Sequence, residues 1–299
     1  MRLTHTQAVL IMVANAAMWS MAGVVTRQLD AAQGFEITFW RSVFTVLSLL
    51  VLLPLMQGRQ VFVQMFGAGR LLWWSGLCWS VMFTAFMMAL TLTTVANVLI
   101  TLSLGPLLTA LVARWTLKHP IAWRTWAAIA IAGTGIAWMF ADQLGGEGLL
   151  GSLVALAVPV ASACHWTIVQ HASQRGLRID LVPAVLVGAL LSALYTLPLA
   201  WPLSASTHDL QLLALLGLVQ LAIPCVLAVL CARVLQAPEV SLLALLEVIF
   251  GIALAWWGAN EIPQPQVLQG GLLVLTALAA NEWLGWRQRQ QHPLKQEIS

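Results

Sequence analysis

The sequence predicts an all-α integral membrane protein with ten transmembrane helices, arranged as two inverted five-helix repeats, both termini cytoplasmic. Three observations lead there: too little charge for a water-facing surface, ten apolar runs of spanning length, and basic residues confined to alternate connections. Of the 299 residues, 60% are hydrophobic and only 8% are Asp, Glu, Lys or Arg. A soluble domain carries about 25% charged residues. The composition therefore excludes an ordinary soluble enzyme, a disordered scaffold and a nucleic-acid binder. Four cysteines (Cys78, Cys164, Cys225 and Cys231) sit inside apolar runs without disulfide or metal spacing and read as small core residues. No metal or cofactor motif accompanies them.

A helix needs about 20 mostly apolar residues to cross a hydrocarbon core ~30 Å thick. Ten runs qualify: Ala8–Gln28, Glu36–Met56, Leu71–Leu90, Thr93–Arg114, Trp123–Ala141, Leu149–Gln170, Leu181–Trp201, Asp209–Cys231, Pro238–Gly258 and Gln266–Trp286. Only threonines around Leu92 separate the third run from the fourth. Leu71 to Arg114 is nevertheless 44 residues, about twice what one span uses. The runs are continuous rather than alternating, which excludes a β-barrel. Arg2 ahead of the first run, with Ala14-Asn15-Ala16 inside it, imitates a signal peptide. Ala8–Val13 is too short for a signal core, and the run continues to Val25, so it reads as an uncleaved first span.

The charges give the orientation. With the N-terminus cytoplasmic and every run crossing, the inner segments hold Arg2, Arg59, Arg70, Arg114, Lys118, Arg124, Arg175, Arg178, Arg233, Arg287, Arg289 and Lys295, which is 12 of the 14 basic residues. Arg27 falls outside, and Arg41 lies within the second span. Cytoplasmic loops carry the Lys/Arg excess, and adding or removing one span destroys the pattern. The expected location is a multi-pass position in a bacterial-type inner (plasma) membrane. Twelve of the 15 tryptophans (Trp40, Trp73, Trp74, Trp115, Trp123, Trp126, Trp138, Trp201, Trp256, Trp257, Trp283 and Trp286) lie toward span ends, the headgroup level that indoles favour. Trp19, Trp79 and Trp166 lie deeper.

Ten spans divide at Gly145-Gly146-Glu147-Gly148, giving five-helix units 1–145 and 146–299. Five is odd, so equivalent halves face opposite ways, the inverted-repeat plan of many transporters. At an offset of 142, Leu104-Gly105-Pro106 falls on Leu246-Glu247-Val248 and Trp115 on Trp257, with Pro120 and Pro263 following.

Short motifs carry a resemblance. Phe39-Trp40-Arg41-Ser42 resembles the Arg-bearing second helix of the EamA-type drug/metabolite transporter superfamily, and Leu104-Gly105-Pro106-Leu107-Leu108 its fourth-helix motif. Leu245-Leu246-Glu247-Val248 and Gly258-Ala259-Asn260-Glu261 resemble the ninth-helix motif with its trailing acidic residue, and Gly270-Gly271 the opening of the tenth helix. Val248 departs from the proline often found there, so the resemblance implies a less kinked ninth helix in this chain. It also implies a ten-helix exporter of small metabolites, with amino-acid exporters, aromatic ones included, well represented. The cavity it implies is formed mainly by helices one, three, four, six, eight and nine.

Charge within a membrane is costly and marks candidate sites. Glu247, near the middle of the ninth span, reads either as a protonatable coupling carboxyl and partner for a substrate ammonium, or as a structural carboxyl bonded to a neighbouring helix. Arg41, in the outer third of the second span, has three readings: snorkelling to headgroups, pairing with Glu36 or Glu247, or binding a carboxylate. His165 is either a titratable gate or a packing histidine beside Trp166. Neutral polar residues recur at helical spacing: Asn15 and Trp19; Trp79 and Phe83 with Ser75 and Phe86; Asn97 and Thr101; Ser162, His165 and Trp166; Gln220 four before Pro224. Such faces turn inward, lining a polar and aromatic cavity or bonding helix to helix. Pro106, Pro159, Pro183, Pro198 and Pro224 interrupt spans, as kinks or hinges.

These readings together predict a secondary transporter of a small molecule such as an amino acid, working in the lipid bilayer. With no nucleotide-binding G-x-x-x-x-G-K-[ST] motif, its driving force is a proton, ion or substrate gradient, or a separate partner. A lipid-carrier flippase of the same superfamily is the alternative. An intramembrane enzyme lacks H-E-x-x-H and G-x-S-x-G, and a channel lacks a filter signature.

Overall fold

The computed structural model describes residues 4–67, 69–118, 120–141, 148–175, 182–231, 234–235 and 237–291. The Gly145–Glu147 part of the expected mid-chain turn lies outside the described residues, as do Arg2, Arg178, Arg233 and Lys295. No strand occurs among the described residues. The helices are α1 (His5–Thr26), α2 (Phe35–Gln57), α3 (Gln60–Gly67), α4 (Gly69–Leu92), α5 (Val95–Leu102), α6 (Gly105–Leu117), α7 (Trp123–Ala141), α8 (Gly148–Gln174), α9 (Ala184–Ala200), α10 (Thr207–Leu215), α11 (Ile223–Cys231), α12 (Ala237–Ala244), α13 (Leu246–Ala259) and α14 (Pro265–Gln291). A π-helical segment, Leu216–Ala222, joins α10 to α11.

Among the described residues, seven stretches are long and apolar enough to cross a membrane: His5–Thr26, Phe35–Gln57, Gly69–Leu92, Val95–Leu117, Gly148–Ala172, Thr207–Ala228 and Pro265–Gln288. They make the chain a multi-pass, all-helical membrane protein. The sequence count of ten includes three further runs. The fifth is α7, which opens on the polar Trp123-Arg124. The seventh is the 17-residue α9, which starts only after Pro183, and the ninth is divided between α12 and α13.

Local chemistry accounts for the breaks. Thr4 and Gln7 form a capping box at the start of α1, and Ser206 with Asp209 does the same for α10. Thr94 caps α5 by accepting from the Asn97 amide, so the Thr93-Thr94 turn separates the third span from the fourth. The fourth span breaks again in its middle, at Ser103-Leu104, where Leu104 N–H donates to the Thr101 carbonyl at 3.2 Å. Gly105-Pro106 then opens α6, with proline in the first turn, where its missing N–H costs no bond. The ninth span breaks at Leu245 even though no proline follows. Val248 N–H turns back to the Leu245 carbonyl at 3.1 Å, a tightened turn that starts α13. Backbone geometry, not proline, makes this break.

Helix α1 packs parallel to α12 and α13, in contact from His5 against Glu239 at one end to Arg27 against Glu261 at the other. Helix α4 packs on α8 and α9, α2 on α9 and the π segment, α6 on α8, and α5 on α13. Helices α7 and α14 cross at Gly135 and Gly270, where a Cβ on Gly135 would stand 2.6 Å from the Gly270 carbonyl oxygen. Only glycine permits that approach. Large apolar side chains such as Leu55, Val63, Trp115 and Trp257 point outward, as a lipid-facing surface requires.

Candidate functional site

Glycines and small residues bring α1, α5 and α13 close together: a Cβ on Gly23 would strike Val95, and one on Gly251 would meet Leu99 and Ser20. The polar faces predicted on these helices turn into the bundle. Asn15 on α1 is fully buried and donates from Nδ2 to the Pro224 carbonyl at 3.3 Å, while its Oδ1 has no partner. Asn97 on α5 donates to Thr93 Oγ1 at 3.1 Å, and its Oδ1 is unpartnered. Thr101, one turn on and next to the mid-span break, is fully buried with an unpartnered hydroxyl. Gln220, within the π segment, donates to the Trp19 carbonyl at 3.4 Å and leaves its Oε1 without a partner. Nearly all buried polar atoms in proteins are paired, so these unpaired oxygens are unusual. π segments are themselves frequent at functional sites.

Arg41 on α2 is only 3% exposed, which rules out snorkelling. Its guanidinium lies 5.6 and 5.5 Å from the ring centroids of Phe83 and Phe86, and its Nη1 has no hydrogen-bond partner. Pairing with Glu36 is also excluded, because that carboxylate accepts from Ser204 N, Ala205 N and Ser204 Oγ, all at 2.8 Å. Among the described residues no carboxylate forms an ion pair with Arg41. Glu247, in the first turn of α13, is half-buried. Cys225 lies within electrostatic reach of both Arg41 and Glu247.

A second cluster joins α4 to α8. His165 Nδ1 and Ser75 Oγ are 2.7 Å apart, and the Trp79 ring meets the imidazole edge-on at 5.3 Å. Trp79 also lies against Phe83 at 5.4 Å, and its buried Nε1 has no partner. These contacts link the cluster to the Arg41 region. Trp166 touches His165 at 5.2 Å but is 54% exposed, so it does not share the burial of the other candidates. Two further buried, unpartnered atoms escaped the sequence reading, Thr38 Oγ1 and Trp40 Nε1. Trp40 packs against the main core beside Phe44.

At the end of the bundle where α1 leads into α2, Arg27, Glu261 and Asp209 are held by networks of bonds. Arg27 donates to Glu261 at 2.8 Å and to the Leu90 and Thr93 carbonyls at 2.5 and 2.7 Å, and Glu261 accepts from Val95 N at 2.5 Å. Asp209 accepts from Asp30 N at 2.7 Å and from Ala31, Ala32 and Ser206 N at 3.0 Å. These bonds fasten four connections, those of α1 to α2, α4 to α5, α9 to α10 and α13 to α14, into one clasp. No group of three or more His, Cys, Asp or Glu residues among those described is placed to hold a metal ion.

Residues 6–141 match the EamA-like transporter family. No curated protein is significantly similar to the chain in sequence. Seventeen chains of solved structures match it. One of them, a crystal structure of a protein, is 18% identical with a TM-score of 0.63, over 95% of this chain and 99% of that one. At that identity the likeness is one of fold.

Proposed function

We propose that this protein is a secondary-active transporter that exports small metabolites, amino acids and aromatic ones among them, by alternating access of two inverted halves. The observation that carries this reading is the pair of mid-span breaks, Ser103-Leu104 in the fourth span and Leu245 in the ninth, at corresponding places of the two halves. Interrupted spans in matching positions point to a substrate site at the repeat interface. Asn97 and Thr101, each with an unpartnered side-chain oxygen, lie on the half-helix before the first break, and Glu247 lies in the first turn of the half-helix after the second.

The packing supports the inverted repeat. Exchanging each span of the first half with its counterpart in the second maps the most extensive contacts onto observed contacts. The α1–α13 pair maps onto α8–α6, and α4–α8 onto α11–α1. The α4–α9 pair maps onto the π segment with α2, while α2–α9, α5–α13 and α7–α14 map onto themselves. All ten runs then cross, both termini are cytoplasmic in an inner-type membrane, and the clasp closes the outer face. The cavity candidates are Asn15, Trp19, Trp79, Phe83, Asn97, Thr101, His165, Trp166 and Gln220. Glu247 is the carboxyl that exchanges a proton or ion with the substrate cycle.

The test is counterflow. Purified protein in liposomes preloaded with an unlabelled amino acid should take up the labelled one saturably, whereas protein-free liposomes should not. Absence of counterflow across the proteinogenic amino acids, with scrambling of a fluorescent lipid carrier in its place, would replace this reading with the flippase.

A further inference from the structure

We propose that Arg41 is the anion-binding residue of the central site and takes the carboxylate of a small solute whose apolar body rests on Phe83 and Phe86. The proposal deepens the transport reading and rests on its central site. The guanidinium is always charged and here is 3% exposed, so lipid headgroups and bulk water do not neutralise it. A buried charge without a partner is strongly unfavourable, and each protein carboxylate in question fails to supply one. Glu36 is consumed by the backbone and hydroxyl of Ser204 and the backbone of Ala205. Glu247 reaches Cys225 electrostatically, as Arg41 does, yet does not form an ion pair with Arg41.

What surrounds Arg41 is aromatic. Phe83 and Phe86 lie 5.6 and 5.5 Å from its Cζ, close enough for their ring faces to attract the cation. Rings do not satisfy directed N–H donors in the way a carboxylate does, and Nη1 remains unpartnered and buried. A planar guanidinium matches a carboxylate with two parallel hydrogen bonds. The rings beside it offer an apolar floor, continued by Trp79 at 5.4 Å from Phe83.

The experiment separates carboxylate recognition from transport. Thermal shifts of the purified full chain are measured with each proteinogenic L-amino acid against its α-amide, in chloride and in sulfate buffers. Amino acids with apolar side chains should stabilise the protein saturably, and their amides should bind at least tenfold more weakly. Equal binding of acid and amide overturns the proposal, as does silence across the whole set. Chloride that saturates the effect on its own, leaving nothing for the amino acid to add, assigns a halide site and overturns it too. Arg41→Gln should abolish the acid-over-amide preference and Arg41→Lys should retain part of it. If Arg41→Gln does not fold, the wild-type acid and amide pair still decides. Binding without counterflow would sink the transport reading and leave Arg41 assigned. Counterflow unaltered by Arg41→Gln would do the reverse.

Discussion

Two arginines of the first half are treated in opposite ways. Arg27 spends its Nε on Glu261 and its two terminal nitrogens on the carbonyls that end α4, and Glu261 in turn covers the first amide of α5. Arg41 is more deeply buried, yet has two phenyl rings near it and no ion pair. The carboxylates divide in the same way: Glu36 and Asp209 are saturated by backbone amides, whereas Glu247 has no such set. Charges that hold the ends of helices together find partners within the chain. A buried charge left over is held for something the chain does not contain.

The sharpest way to break this comparison is to replace each arginine by methionine. Arg27→Met strips the clasp of its centre and bares Glu261 and two carbonyls at once. Hydrogen bonds to charged groups are worth about 1.5–3 kcal/mol each, reduced here by the partial exposure of both side chains (29% and 16%). The melting temperature should fall markedly. Arg41→Met removes an unpaired buried charge and fills its space with an apolar chain, so stability should be unchanged or higher while solute binding is lost. If Arg41→Met melted as low as Arg27→Met, Arg41 would be a structural residue and the contrast would collapse.

The carboxylates allow a milder version. Asp209→Asn keeps the shape but replaces one acceptor oxygen by a donor that faces backbone N–H groups. A loss of about 1–2 kcal/mol with counterflow rates retained is expected. Glu247→Gln should leave melting nearly unchanged and alter the rate of counterflow and its dependence on pH. Identical rates and pH profiles in wild type and Glu247→Gln would remove this carboxyl from the coupling step.

How far the sequence announced these features depends on whether they are local. Each of the ten apolar runs coincides with helix to within a few residues, because hydrophobicity and length suffice for that. Spacing of three or four also placed Asn15, Asn97, Thr101 and Gln220 on inward faces, and all are at most 3% exposed. Aromatic residues were less legible, since lipid and core are equally apolar: Trp40 turns into the core and Trp166 is exposed. The π segment packs against α2, where Gly217 lies against Phe44 and Thr45, and nothing in Leu216–Ala222 itself signals it. The clasp was invisible because it joins residues far apart in sequence, mostly through side chains bonded to backbone, with Arg27–Glu261 its one ion pair among the described residues. Leu245 shows the same limit, since a span can break without the proline that would betray it.

The smallest effect belongs to the other end of the same helix pair. His5 meets Glu239 at 3.0 Å where α1 and α12 begin, as Arg27 meets Glu261 where α1 and α13 end. His5 is 60% exposed, however, against 29% for Arg27. An exposed pair of this kind contributes about 0–1 kcal/mol, so His5→Gln should shift the melting temperature by little, and less still in high salt. The two ends of α1 are then fastened unequally, and in the proposed alternating access the end bearing His5 is the one expected to separate at low cost. A fall in melting temperature for His5→Gln as large as that for Arg27→Met would mean both ends are latched alike, and α1 could not swing from its clasped end.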